Sequence, residues 1–251
     1  MDSSPTTPTA PAPAPGSAGD DPPGYPPSGR TDPTRARQRV SYDRALVHAV
    51  LDDGYLCHLG FVRDGAPVVV PTLYARVGER LYVHGSTGSR AVRDAGGAGG
   101  EGRPVCLTVT HVDGLVLAKS AFHHSVNYRC VMVHGLAHEV TDPAERATAL
   151  DAIVDQVVPG RAADSRPGNR RELAATAVVR LDLREVSAKV RTGGPNDDPE
   201  DVGLPHWAGV VPVTPFYGAV VPSDRGPRVE APAYLPSGAH SRARRTAGAA
   251  C

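Results

Sequence analysis

The sequence predicts an α+β domain built on a small antiparallel β-barrel of six or so strands, with two or three flanking helices. Two observations predict this class. Short runs rich in β-branched residues recur along the chain and are separated by turns that contain glycine, as in an antiparallel sheet. Apolar residues at helical spacing occur mainly before the first of these runs and again late in the chain, so the helices flank the sheet.

The predicted helices span residues 41–53, 87–95 and 142–157. The first has apolar residues at helical spacing, Ser41 as a possible cap, and Gly54 at its end. The third has the strongest start signal, because Asp142 is a good N-cap and Pro143 fits the first helical position. Glu145 is then placed to complete a capping box.

The predicted strands are, in chain order, 55–63, 66–77, 80–84, 104–111, 115–120, 128–140 and 177–190, the last being one long strand or two broken ones. Asp64-Gly65 is a strong signal for a two-residue hairpin turn, and Gly78-Glu79 predicts the next turn. Asp113-Gly114 predicts a break between two further strands. The Pro- and Gly-rich segment 191–223 is expected to wrap the surface.

The composition predicts one domain between two disordered tails. Residues 1–35 are rich in Pro, Ala and Thr and cannot bury enough apolar surface to offset the entropy lost on ordering. Residues 228–251 end in a basic stretch and are predicted to form a second disordered tail. The folded domain is therefore expected to span residues 36–227.

Charge and hydropathy exclude several classes of protein. The chain has 27 basic and 27 acidic residues, whereas a dedicated nucleic-acid binder carries a basic excess. No apolar run reaches the roughly 18 residues that predict a membrane span. The N-terminus has no basic segment followed by an apolar one, so no secretory signal is expected. These observations predict a cytoplasmic protein that binds neither nucleic acid nor membrane.

The segment His84-Gly85-Ser86-Thr87-Gly88-Ser89-Arg90 has the chemistry of a phosphate-binding loop. It is predicted to join a strand to a helix, where backbone N–H groups are free to bind an anion. Its hydroxyl groups and the guanidinium of Arg90 could add contacts to phosphate oxygens. The alternative is an ordinary capped helix start with a surface arginine.

Polar and aromatic residues crowd the connection 119–129, between two apolar strands, where binding groups are often found. The alternative is a polar loop in which Arg129 forms a structural ion pair. Cys130, His134 and His138 share one side of a predicted strand. His134 and His138 would lie about 13 Å apart, too far to share one metal ion, so no metal site is predicted. Trp207 could anchor the core or stack on a flat ligand.

Five motifs occur in a characteristic order: Val70-Pro71-Thr72-Leu73-Tyr74; Leu81-Tyr82-Val83-His84-Gly85-Ser86 with Ser89-Arg90; His123-His124-Ser125 through Asn127-Tyr128-Arg129; Ser187-Ala188-Lys189-Val190-Arg191; and Trp207-Ala208-Gly209-Val210. Over about residues 38–223 the chain resembles the pyridoxamine 5′-phosphate oxidase-like, FMN-binding split-barrel superfamily. Within it, the chain is most similar to the branch of nitroimidazole-resistance (Nim-type) and flavin-nucleotide-binding proteins.

The resemblance implies a split barrel that forms a homodimer, with one FMN in each of two clefts between the subunits. It implies that Val70, Pro71, Thr72, Leu73 and Tyr74 lie along the isoalloxazine and ribityl chain. His84 and Gly85 would contact the ring edge, Ser89 and Arg90 would hold the phosphate, and Ser86 would also bind the cofactor. The remaining implied cofactor contacts are Asn127, Tyr128, Arg129, Lys189 and Trp207.

The chain departs from true pyridoxamine phosphate oxidases at two motif positions, Ala91 after the arginine and Cys130 in place of a glutamine. The resemblance therefore implies an FMN-binding oxidoreductase that acts through flavin N5 on a small, aromatic or nitroaromatic substrate, rather than on vitamin B6. His84, His123 and Tyr74 are the candidate proton donors. The alternative is a non-enzymatic protein that binds or senses flavin, haem or a deazaflavin.

Overall fold

The structure is a computed structural model that describes residues 23–88, 101–236 and 238–239. The helices are α1 (Arg44–Asp53), α2 (Pro143–Val157) and α3 (Arg170–Ala174), with short 3₁₀ helices at Arg37–Arg39 and Ala121–His123. The strands are β1 (Val40–Ser41), β2 (Leu56–Arg63), β3 (Ala66–Val77), β4 (Arg80–Ser86), β5 (Arg103–Leu117), β6 (Ser125–Glu139), β7 (Thr176–Asp182), β8 (Glu185–Arg191), β9 (Gly209–Pro212), β10 (Phe216–Tyr217) and β11 (Gly238–Ala239). No helix among these residues is long and apolar enough to cross a membrane.

Six strands close a barrel. The ring runs β2-β3-β4-β7-β6-β5 and back to β2, and every pairing in it is antiparallel. Strand β6 pairs with β8 over Tyr128–His134 and with β7 only over Ala137–Glu139, so the barrel is split beside β6. The predicted α+β class with a six-stranded antiparallel barrel is confirmed, and β1, β8 and β9 extend the sheet to nine strands.

The sequence alternation decides which side of each strand is buried. Inward-facing residues such as Leu59, Leu107, Val131 and Val133 fill the barrel and are at most 2% exposed. Burying a side chain of this size stabilises the fold by about 1.5–3 kcal/mol. Helix α2 covers the outside of β3, β4 and β7 through a second cluster that includes Ile153.

The opposite side of β2, β3, β5, β6 and β8 points away from the barrel interior. We call this side the outer face. Its residues are assigned from the strand pairings, because cross-strand partners share one side of a sheet. It comprises Leu56, His58, Gly60, Val69, Pro71, Cys106, Thr108, Thr110, Val112, Tyr128, Cys130, Met132, His134, Glu185, Ser187 and Lys189. Several of its apolar side chains are exposed, including Leu56 at 49% and Val69 at 65%.

Two Asp-Gly pairs that look alike in the sequence form different structures. Asp64 and Gly65 have φ values of 49° and 77° and make the predicted hairpin turn between β2 and β3. The predicted break at Asp113-Gly114 is wrong, because β5 runs through it as one strand with a register shift against β6. A Cβ at Gly114 would come within 3.0 Å of Val210, so the bulge brings β9 close to β5.

The helix starts follow local capping chemistry. Asp43, not Ser41, caps α1, and its carboxylate accepts a hydrogen bond from the Leu46 amide at 2.7 Å. Asp142 caps α2 as predicted, accepting from the Glu145 amide at 2.7 Å. The predicted helix 87–95 lies outside the described residues except for residues 87–88, which form a turn.

Residues on both sides of the predicted domain, 36–227, contact residues within it. Tyr25, inside the predicted N-terminal tail, is only 4% exposed and belongs to the barrel core cluster. Ser28 and Arg30 both donate hydrogen bonds to Glu185 on β8. Near the other terminus, Tyr234 donates a hydrogen bond to Asp164. Thus parts of segments 23–35 and 228–239, outside the predicted limits of 36 and 227, contact the barrel core, β8 and Asp164.

Glu145 links α2 to β4 and β7 and makes stability depend on pH. Its carboxylate accepts from the Tyr82 hydroxyl at 2.7 Å and from Arg180 at 3.3 Å, and these contacts hold the pKa of Glu145 below its usual range. A lowered folded-state pKa stabilises the protein above the ordinary pKa of about 4.3 and loses that contribution as pH falls through the folded value.

We therefore expect Glu145→Gln to be less stable than wild type at neutral pH, with a difference that shrinks as the pH falls below about 4.3. Urea unfolding across a pH series measures this difference. A destabilisation that is independent of pH would show that the charge on Glu145 does not contribute.

Candidate functional site

A cavity of about 460 Å³ opens where α1 ends, between the start of β2, the middle of β5 and the segment after β9. Its volume lies within the range of small-molecule sites. Its lining comprises Asp53, Gly54, Tyr55, Leu56, Thr110, His111, Val112, Asp113, Arg129, Val213, Thr214, Pro215 and Tyr217. Of the predicted site residues that the structure describes, only Arg129 belongs to this lining.

The inner wall depends on how α1 ends. Gly54 has no room for a side chain, because a Cβ there would lie 2.7 Å from the Tyr74 hydroxyl oxygen and 3.2 Å from His111 Cε1. Helix ends leave carbonyl groups without intrahelical partners. Here the Tyr74 hydroxyl donates to the Leu51 carbonyl at 2.5 Å, and Gln156 of α2 donates to the Gly54 carbonyl. Asp53 is thereby fixed at the cavity edge.

Arg129 is held by two carboxylates at this cavity. Its Nε and Nη2 atoms each donate to Asp113 at 2.9 Å, and its Nη1 atom donates to Asp53 at 2.9 Å. The Asp113 contact, followed by the Asp53 contact, raises the pKa of Arg129. Two Asp and one Arg give this lining a net charge of −1, so the cavity favours a neutral or cationic ligand over an anionic one. The structural ion pair left open from the sequence is present.

Some of the predicted cofactor contacts on β3 and β4 lie in the core, and others lie at the surface. Val70 packs against the barrel core, and Tyr74 is fully buried with its hydroxyl bonded to the Leu51 carbonyl. Pro71 and Ser86 are exposed, whereas Gly85, like Thr72 and Leu73, is half-buried. Tyr74 therefore lies in the barrel core, with its hydroxyl bonded to the end of α1.

His84 lies on β4 opposite Val178 and is half-buried. Its Nδ1 atom is buried and has no hydrogen-bond partner among the residues that the structure describes. Burial lowers the pKa of His84, so the neutral imidazole is favoured. A buried nitrogen without a partner fits a missing polar ligand. Ser89 and Arg90, the predicted phosphate contacts, lie outside the described residues.

The predicted cofactor contacts on β6, on β8 and in the segment after β8 differ in burial and in their contacts. Asn127 is 9% exposed and donates to the Gly193 carbonyl at 3.0 Å, so it anchors the segment after β8. Tyr128 and Lys189 lie on the outer face and are half-buried. The indole of Trp207 lies over Gly209, where a Cβ would come within 2.8 Å of the ring, and it is 66% exposed.

One chain does not gather the predicted residues into one site. The β6 residues lie on the opposite side of the six-stranded ring from the β3 residues, three strands away in either direction. His123 is separate again and pairs with Asp198 at 3.0 Å; that contact raises its pKa. Among the described residues, His123, Asp198 and Asp201 also bring three possible metal-ligand atoms within 4.8 Å of one another.

Sequence reasoning missed Asp53, His111 and Asp113, which line the cavity. The sequence predicts that Asp113 forms a turn with Gly114, although an Asp-Gly pair inside a long β-rich run is also typical of a bulge. Asp53 and His111 had no local signal, because their roles depend on where α1 meets β5.

A family model described as pyridoxamine 5′-phosphate oxidase matches residues 43–190, from the cap of α1 to β8. The chain belongs to this family. That confirms the family inferred from the sequence motifs, and the split barrel is the fold of this family member. No curated protein matches the chain by sequence.

Several solved structures are similar to this family member. The flavocytochrome Anf3 from Azotobacter vinelandii is 40% identical, with a TM-score of 0.77 over 84% of this chain and 96% of that one. A FAD and haem binding protein from Mycobacterium smegmatis is 38% identical, with a TM-score of 0.72 over 78% and 95% of the two chains. A candidate 5-nitroimidazole antibiotic resistance protein from Bacteroides thetaiotaomicron is 19% identical, with a TM-score of 0.48 over 60% and 86%.

Proposed function

We propose that this protein is a flavin-dependent oxidoreductase whose cofactor is held between two copies of the chain. The observation that carries this proposal is the 40% identity across nearly the whole of a protein named a flavocytochrome. A bound flavin supplies hydride or single-electron transfer, and the protein positions it and excludes competing reactions. The sequence favours FMN, whereas the Mycobacterium smegmatis relative is named for FAD.

The described residues fit a flavin that bridges two chains. In this proposal, the β3–β4 residues of one copy hold one side of the flavin, and His84 Nδ1, which bonds no other described residue, supplies a hydrogen-bonding atom. The β6 and β8 residues, which lie on the other side of the barrel in the same chain, contact the flavin bound to the other copy. Each cofactor site is then incomplete without the second copy.

Exposed apolar groups support the homodimer. In the segment after β8, Trp207 is 66% exposed and Phe216 is 75% exposed. Aromatic residues of this kind are enriched in the cores of protein interfaces. Together with the apolar part of the outer face, they could bury the surface area of roughly 2,000 Å² or more that is typical of obligate homodimer interfaces.

We infer that the 460 Å³ cavity takes a small neutral or cationic substrate. Asp53 and Asp113 already engage the Arg129 guanidinium, so no cation of this lining is left for a substrate phosphate. This argues against a phosphorylated vitamin B6 substrate. A small aromatic or nitroaromatic molecule fits the Tyr55 and Tyr217 side of the lining.

A haem-binding role is a second candidate, with or without catalysis. Two observations favour it: the Azotobacter vinelandii relative is named a flavocytochrome, and the Mycobacterium smegmatis relative is named for binding FAD and haem. Haem and flavin could then exchange electrons within one protein. If the protein is catalytic, a reductant turns over the bound flavin. If the protein only stores the cofactor, it does not.

The test is an absorbance spectrum of the purified full chain, followed by release of the cofactor and its mass. We expect a flavin band and a released mass equal to FMN or FAD, with bleaching by NADH or NADPH if the protein is catalytic. Reconstitution of cofactor-free protein with FMN and FAD separately distinguishes the two. Failure to retain either flavin after reconstitution would contradict the proposal.

A further inference from the structure

A cluster of possible metal ligands lies where the 3₁₀ helix after β5 meets the segment after β8. His123 ends that short helix, and Asp198 and Asp201 belong to the segment. One ligand atom from each of the three residues lies within 4.8 Å of the other two. His123 and Asp198 are 75 residues apart in the sequence, so the fold brings an imidazole to the two carboxylates. We call these three residues the His123 cluster.

The spacing of the His123 cluster is close to that of ligands on one metal ion. Two ligand atoms on a tetrahedral zinc ion, each about 2.0–2.2 Å from it, lie roughly 3.3–3.6 Å apart. His123 Nε2 lies 3.0 Å from Asp198 Oδ2. The Asp198 side chain is 58% exposed, so it can turn to accept an ion without displacing a packed neighbour.

Hydrogen bonds that do not use these ligand atoms hold the two segments together. The Asp197 carboxylate accepts from the Lys119 amide at 2.8 Å, and the Lys119 ammonium donates to the Leu204 carbonyl at 2.5 Å. The Asp201 amide donates to the Asp198 carbonyl at 2.9 Å, so a tight turn sets the two aspartates side by side. Outer contacts of this kind orient metal ligands before an ion binds.

The His123 cluster carries more negative than positive charge. Within the described part of the chain, neither Asp198 nor Asp201 forms an ion pair with a lysine or an arginine. The hydrogen bond to Asp198, together with the charges of Asp197 and Asp201, raises the pKa of His123. A positive charge is therefore favoured at this point, and a divalent cation supplies it.

We propose that His123, Asp198 and Asp201 bind a divalent transition-metal ion such as Zn²⁺. The imidazole favours this class of ion over Mg²⁺ and Ca²⁺, which prefer oxygen ligands. The ion takes the place of the proton between His123 and Asp198, which passes to solvent, and water completes the coordination. The bound ion ties the segment that carries Trp207 to the end of β5. This inference goes beyond the proposed function and does not depend on a bound flavin.

The experiment is a titration of the EDTA-treated full chain with Zn²⁺, in competition with a chromophoric chelator. We expect one Zn²⁺ per chain at this site. His123→Ala and Asp201→Asn should each weaken it by at least roughly 10- to 100-fold, because changes merely next to metal ligands already cost about that much. Neither residue belongs to a core cluster, so the EDTA-treated variants should unfold at the temperature of EDTA-treated wild type.

His124→Ala and Glu200→Gln are the matched controls. His124 is the exposed neighbour of His123, and Glu200 is an exposed carboxylate between Asp198 and Asp201. Each control removes the same kind of group from outside the cluster, so both should keep the wild-type affinity for Zn²⁺.

Three results would overturn the proposal. The first is a wild-type chain that binds no Zn²⁺. The second is a ligand variant that keeps the wild-type affinity, or a control that loses as much affinity as its matched ligand variant. The third is displacement of Zn²⁺ by Mg²⁺ at equal concentration, which would indicate a merely acidic surface. Flavin content measured on the same samples reports on the proposed function separately.

Discussion

Trp207→Ala is expected to convert the protein from a flavin-bound dimer into a cofactor-free monomer at micromolar concentration. The indole is 66% exposed and lies over Gly209, so most of its surface is available to insert into a partner. Truncating such an interface residue costs about 2–4 kcal/mol, which weakens the dimer roughly 30- to 1,000-fold. Flavin that contacts both copies should be lost with the dimer by mass action.

Size-exclusion chromatography with light scattering gives the mass of this variant, and flavin absorbance of the same peak gives its cofactor content. Trp207→Phe serves as the control, because a smaller ring in the same place should keep most of the dimer. A Trp207→Ala dimer that retains its flavin would show that the segment after β8 is not part of the interface.

Tyr25→Ala is expected to lower the free energy of unfolding by about 3–5 kcal/mol, the usual cost of removing a buried aromatic ring. Tyr25 is 4% exposed in the barrel core cluster, and the Arg44 guanidinium lies 4.6 Å from the centre of its ring. Its hydroxyl donates to Glu79 at 2.8 Å. The N-terminal segment is thus expected to stabilise the domain.

Urea unfolding measures this loss, with Tyr25→Phe as the control that keeps the ring and removes only the hydroxyl. We expect the alanine variant to unfold at a distinctly lower urea concentration than the phenylalanine variant. If both match wild type, the folded domain begins near residue 36 after all, as the composition predicted.

Local signals predicted the parts of the fold that local chemistry decides. Asp64-Gly65 and the Asp142 cap are where they were predicted because a turn and a helix start each depend on a few adjacent residues. Asp113-Gly114 has the same chemistry as Asp64-Gly65 but forms a bulge. Strand β9, nearly a hundred residues further along the chain, pairs beside it. No local pattern carries that information.

The candidate site was less predictable because its partners come from distant segments. Arg129, a predicted cofactor contact, lines the cavity, and its two carboxylate partners come from the end of α1 and the bulge of β5. Tyr25 is a single aromatic residue in a Pro-rich segment, so neither periodicity nor composition predicted its burial. The family motifs supplied most of the site prediction, and they identify positions without their contacts.

Sedimentation velocity of the purified protein over a dilution series, detected at both the protein and the flavin absorption bands, tests the central claim most directly. We predict that the flavin band sediments only with the dimer, at one flavin per chain, and that dilution releases flavin and dissociates the dimer together. A stable monomer that carries one tightly bound flavin would contradict the claim that each cofactor lies between two copies.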